Sequence, residues 1–187
     1  MIDHSEILVQ IEELLTAVYR KRNVNPWNEG VSRSIRFENL FREYLPDWPL
    51  LNQTDKLHGG STVLAFLLHP GHYIGVPTKD GIEVRIKRLG GECYQALLEI
   101  SHIGPYSRIR FTRETLDDET DRISYEEQSL PYRDEDAVFY RNISKILEKE
   151  NILILPDEIL HRHVPDIELD VTDAGCATIY HCLFDEE

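Results

Sequence analysis

From residue 82 to residue 112 the chain carries an alternation and a turn chemistry that point to strands rather than to a helical bundle. Ile82, Val84 and Ile86 alternate with Glu83, Arg85 and Lys87, the period of a strand with one face buried and the other in water. Just upstream, Thr78-Lys79-Asp80-Gly81 sets Asp-Gly, a dipeptide suited to tight hairpins, between this run and residues 72–77. Downstream, Gly90-Gly91 and Gly104-Pro105 punctuate two further apolar runs, residues 93–101 and 108–112. The spacing predicts an antiparallel β-meander of about four strands across residues 72–112.

Helical periodicity brackets this stretch. Over residues 3–21, Ile7, Ile11, Leu14, Leu15 and Val18 recur at spacings of three and four, Asp3 with Glu6 forms a capping-box pattern, and Arg20, Lys21 and Arg22 suit a helix C-terminus. Asn25, Pro26, Asn28 and Gly30 read as a loop, and Ser34 as the cap of a second helix carrying Phe37, Leu40, Phe41 and Tyr44 up to Pro46. Residues 46–60 read as turns with Trp48 as an anchor, while residues 63–68 suit a buried strand or a helix equally. A helix is predicted over 136–150, with Phe139, Ile143, Ile146 and Leu147 inward and Asn151 as a left-handed cap. Residues 152–155 read as a strand, 156–158 open a short helix ending before Val164-Pro165, and 176–184 read as a closing strand. Helices on either side of a block of strands define an α+β class, read as one domain over 1–187 with an exposed acidic excursion at about 113–135.

Composition excludes several classes. The longest apolar run, six residues at 63–68, falls far short of the roughly 20 that cross a bilayer. Acidic residues scattered through the N-terminal apolar positions argue against a secretory signal, and three cysteines with no C-x-x-C pair suit a reducing compartment, so a cytoplasmic location is expected. A formal charge of −14 disfavours nucleic-acid and anionic-membrane partners, both of which call for a basic surface.

That charge is unevenly placed. Residues 114–136 hold ten acids and two bases, residues 156–187 hold nine and one, whereas 82–113 hold three and six. Acidic stretches often only solvate a surface; read as a docking face, they point to a basic protein partner, the arrangement by which an inhibitor or immunity-type protein would engage a nuclease. The residues implicated are Asp117, Asp118, Glu119, Asp121, Glu126, Glu127, Asp157 and Glu158. The basic stretch gives a rival reading, a small-anion site built from Arg85, Lys87, Arg108 and Arg110, which would share a solvated sheet face with Arg113, with Arg88 nearby.

Catalytic readings are thinner. His69 and His72, His161 and His163, and Glu158 with His161 offer ligand types for zinc or a similar cation, which would make the chain a small metal-dependent hydrolase. No H-E-x-x-H spacing occurs, and Pro70-Gly71 separates the first pair. Gly59-Gly60-Ser61-Thr62 lacks the spacing of a phosphate loop, and Cys93, Cys176 and Cys182 fall on predicted strands, where thiols commonly serve as small apolar residues. The sequence therefore leads to a non-enzymatic acidic binding protein that needs no cofactor, with the hydrolase and the anion binder as alternatives.

Overall fold

The computed structural model describes residues 4–23, 25–54, 60–69, 79–117, 120, 122–169, 172–173 and 175–184. Among these residues the chain folds as an α+β structure around a six-stranded sheet. Strands β1 (Leu50–Asn52), β2 (Ser61–Leu67), β3 (Glu92–Ser101), β4 (Tyr106–Asp117) and β5 (Arg122–Gln128) lie side by side in sequence order, each antiparallel to the next. β6 (Leu153–Ile154) runs parallel to the start of β4. The meander is therefore real, but its strands are not all those that the alternation suggests.

The largest departure is at residues 82–88, which belong to helix α3 (Lys79–Arg88) rather than to a strand. Ile82, Ile86 and Leu89 are spaced four and three apart, so they share one helical face as readily as alternate residues share a strand face. Ile86 is fully buried while Val84, which a strand would bury with it, is about half exposed. Arg85, Lys87 and Arg88 complement the end of this helix, and Gly90 (φ 88°) and Gly91 (φ 99°) reverse the chain in conformations that L side chains rarely adopt. The partner strand expected at 72–77 lies outside the described residues.

The N-terminal helix follows its spacing: α1 (His4–Leu15) continues through a wider π-helical turn, Thr16–Arg20, and buries Ile7, Ile11, Leu15 and Val18. Helix α2 (Asn25–Tyr44) begins nine residues before Ser34, because the presumed loop residues form its first turns. Asn23 Oδ1 accepts the Asn25 N–H (3.1 Å), and proline is tolerated in a first turn, where its missing N–H is not needed. Gly30 is required by proximity: a Cβ there would fall on the His102 backbone carbonyl.

Residues 63–68 resolve as strand β2, so no helix starts at Ser61. Residues 113–117 extend β4, and 122–128 form β5, so the acidic excursion is largely a hairpin arm rather than an irregular loop; β5 is nonetheless almost wholly exposed. Helix α4 (Ala137–Lys149) is preceded by a 3₁₀ turn at Asp134–Asp136 and closes on Asn151 at φ 57°. After β6 come the short α5 (Asp157–Leu160) and α6 (Ile179–Phe184). α6 replaces the predicted closing strand: Thr178 acts as a helix N-cap, its Oγ1 accepting the His181 N–H (3.4 Å), and Ile179, Cys182 and Leu183 turn to one buried side.

One sheet face carries the main core, where Phe66, Leu98, Ile109 and Phe111 meet Phe37 and Phe41 of α2 and Phe139, Ile143 and Leu147 of α4. Trp48 anchors its loop against Phe139, their rings 5.6 Å apart. A second cluster joins α1 to α5 and α6 through Ile11, Leu15, Leu160 and Leu183. A third, Ala65, Leu67, Ile86, Cys93 and Leu116, seats α3 on the opposite sheet face. No helix among the described residues is long and apolar enough to cross a membrane.

Candidate functional site

Strand register decides which polar side chains meet on the face that carries α3. Glu99 of β3 stands opposite Arg108 of β4, Leu97 opposite Arg110, and Gln95 opposite Thr112; from β5, Glu127 stands opposite Thr112 and Tyr125 opposite Glu114. Alternation puts Arg108 and Arg110 on this face and Arg113 on the other, beside Tyr94. The basic residues of the sequence reading therefore do not share one solvated sheet face: Arg85, Lys87 and Arg88 project from α3, and Arg113 is turned away.

Each arginine of the sheet face has a carboxylate against it. Arg110 Nε lies 3.1 Å from Glu99 Oε2 and its Nη1 2.9 Å from Glu127 Oε2. Arg108 lies 3.8 Å from Glu99, 3.6 Å from Glu127 and 3.6 Å from Asp157. Glu99, only 4% exposed, accepts a hydrogen bond from the Tyr180 hydroxyl (3.2 Å), and the Tyr180 ring lies beneath the Arg108 guanidinium at 5.0 Å. Helix α6 is thus held over the floor of charged groups by an aromatic residue. Ser61 Oγ secures the same helix by donating to the Phe184 carbonyl (3.2 Å), and Tyr19 OH does so by donating to that of Cys182 (2.7 Å).

At the other end of this face, Arg85 Nη2 (2.9 Å) and Gln95 Nε2 (3.2 Å) both donate to Glu114 Oε2 beside a cavity of about 150 Å³. Cys93 is buried there, and burial pushes its thiol up to about 12, away from the range of a nucleophile. Tyr125 also rises to about 12, through desolvation of its hydroxyl and the hydrogen bond it donates to Glu127. On the opposite face, the hydrogen bond from Tyr94 and then that from Arg113 hold Glu92 below the usual carboxylate range.

The acidic residues expected to dock a partner separate into two groups. Glu127 and Asp157 meet at Arg108, with Glu158 exposed next to Asp157 on α5, so the two acidic segments come together in space. Glu126 lies across the sheet beside Arg113 (3.7 Å), and Asp117 ends β4, exposed, accepting the Thr120 N–H (3.2 Å). Asp118, Glu119 and Asp121 lie outside the described residues.

Among the described residues the histidines do not come together in the same way. His69 Nε2 accepts the Tyr94 N–H (3.1 Å), His161 and His163 are exposed, His163 pairs through its backbone with Thr178, and His72 is outside the described residues. Among the described residues no three His, Cys, Asp or Glu gather as a metal-ion group. His181 Nδ1 accepts the Thr178 N–H (3.1 Å) and so helps to close the start of α6.

Glu99 and Tyr180 are the site residues that sequence reasoning missed. One signal was present for Glu99: it interrupts Ala96-Leu97-Leu98 and Ile100, and a charge inside an apolar strand must be matched. Nothing in its surroundings singles out Tyr180 before α6 is folded onto the sheet. Compared with protein families, curated proteins and solved structures, the chain matches none.

Proposed function

We propose that this chain is a non-enzymatic acidic binding protein that docks a basic protein partner, as an inhibitor or immunity-type protein would. The contact surface is the sheet edge running from β5 past Arg108 to α5. The observation that carries this reading is the meeting of Glu127 and Asp157 on one guanidinium, because it joins two acid-rich segments thirty residues apart in sequence into a single zone. Within that zone Glu99, Glu127 and Asp157 lie against Arg108 and Arg110 and Glu158 is exposed beside Asp157, so carboxylates outnumber guanidinium groups and favour a negative field there. A field of this sign speeds the encounter with a basic protein and weakens as salt screens it.

Cys93 and Tyr125 are pushed up and Glu92 is pulled down, so each is held more firmly in the charge state it already has at neutral pH.

The test measures association with basic nucleases by stopped flow at several salt concentrations. Neutralising Glu127, Asp157 and Glu158 together should slow association roughly tenfold at low salt and flatten its salt dependence. Neutralising Glu6, Glu13 and Glu43, which are exposed on α1 and α2, removes the same charge elsewhere and should have little effect. Equal slowing by both sets would reduce the effect to net charge and remove the proposed edge.

A further inference from the structure

Beside the acidic edge, β6 leaves a groove. The Leu153 and Leu155 N–H groups donate to the Pro105 and Ser107 carbonyls of the neighbouring strand, both at 2.9 Å. Because successive residues of a strand turn their backbone groups to opposite edges, Ile154 directs its N–H and C=O away from β4, and no described strand pairs with that edge. Helix α4 lies along the groove, with Tyr140, Ser144 and Glu148 spaced four residues apart on one stripe.

Two cavities share Ile154. One, of about 340 Å³, is bounded by Leu130, Tyr140, Leu155 and Pro156, with Arg108, Asp157 and Glu158 at its rim. The other, of about 430 Å³, is bounded by Ser144, Glu148, Asn151, Ile152 and Leu153. The groove therefore has an aliphatic floor, a strand edge with backbone groups directed outward, and exposed carboxylates at both ends, Glu148 at one and Glu158 at the other.

We infer that this groove receives an extended, basic segment of the partner, added to β6 as an edge strand. Ile154 supplies the backbone donor and acceptor, aliphatic side chains of the segment cover the floor, and its lysines or arginines meet Glu148 and Glu158. Charge selects this occupant over a second copy of the chain, since a chain of formal charge −14 would bring its own acidic groove against the same carboxylates. The inference rests on the docking function proposed above and adds the form of the ligand.

The probe is a blocked peptide of alternating lysine and valine, compared with its glutamate–valine counterpart, bound to the full chain at low salt. Binding is followed by fluorescence anisotropy and by hydrogen exchange at the Ile154 amide. The basic peptide should bind at least roughly tenfold more tightly than the acidic one and protect that amide. Ile154→Pro should weaken it by a similar factor: proline removes a donor not used by the β4 ladder, so the sheet is kept. If this variant does not fold, Glu148→Lys with Glu158→Lys, both at exposed positions, serves instead and should abolish the preference for the basic peptide.

Salt-sensitive binding that is indifferent to Ile154→Pro or Glu148→Lys, with protection confined to β5, overturns the groove and leaves the acidic edge standing. Equal binding of the basic and acidic peptides overturns both. Dimers of the free protein that dissociate on Ile154→Pro would assign the groove to self-association and overturn the inference.

Discussion

Replacing Glu99 by glutamine removes a charge from the centre of the arginine network while keeping the shape of the side chain. Two guanidinium groups lie 3.1 and 3.8 Å from its Oε2, and unit charges at such separations interact by about 4–5 kcal/mol at an effective dielectric near 20. Much of this is offset, because taking the carboxylate out of water costs several kcal/mol. Breaking an isolated buried pair destabilises by about 3–5 kcal/mol, since it strands the remaining charge. Here the stranding is partial: Arg110 keeps Glu127 at 2.9 Å, and Arg108 keeps Glu127 and Asp157, each at 3.6 Å.

The expected loss is therefore about 2–3 kcal/mol, or a fall in melting temperature of about 4–12 °C for a chain of this size. Urea unfolding at neutral pH measures it, and a double-mutant cycle with Arg110→Met should return a coupling of about 1–3 kcal/mol. Moderate salt should leave most of that coupling in place, because the partners are sheltered from solvent. A loss below about 0.5 kcal/mol, or a coupling near zero, would mean that the network behaves as a screened surface set.

Gly30→Ala should destabilise by at least the ~1–3 kcal/mol typical of overpacking, outweighing the ~1 kcal/mol that alanine gains over glycine within a helix. A thermal melt showing a neutral or more stable variant would disprove the close approach of α2 to His102. Glu92 sits below its usual 4.5, so its contribution to stability is present above that value and is lost as pH falls through its lower native value. The melting-temperature gap between the native protein and Glu92→Gln should accordingly be widest near neutrality and shrink as pH falls below 4.5; a gap that stays constant as the pH is lowered would contradict the assignment.

Long periodic segments could be read from the sequence because packing reinforces their pattern. α1 buries Ile7, Ile11 and Leu15 and α4 buries Phe139, Ile143 and Leu147, with Leu14 and Ile146 partly buried, and Asn151 takes the left-handed cap predicted for it. Residues 82–88 misled because a run this short satisfies two periods at once. What distinguishes them is Leu89, which extends the helical stripe one step past the alternation and is packed with Ile82 against the cluster around Ile86. Residues 176–184 failed for a related reason, since Thr178 reads as a strand residue by propensity but acts as a cap by geometry. Charge totals located the acidic segments, yet not that Arg108 would bring Glu127 and Asp157 together, because strand register and the return of the chain through β6 have no local signature. Polar groups buried within strands, Glu99 above all, were the overlooked cue: their cost requires a partner even when the sequence does not reveal which one.

The order of the strands also sets a timetable for the chain during translation. β1 to β5 are neighbours in space in the order they leave the ribosome, so each strand can pair with the one before it as it emerges. β6 and Tyr180 come later: Ser107 waits for Leu153, 46 residues downstream, and Glu99 for Tyr180, 81 residues downstream. Until both arrive, the nascent sheet exposes an unfinished border and a carboxylate without its phenol, the interval in which a chaperone has most to offer.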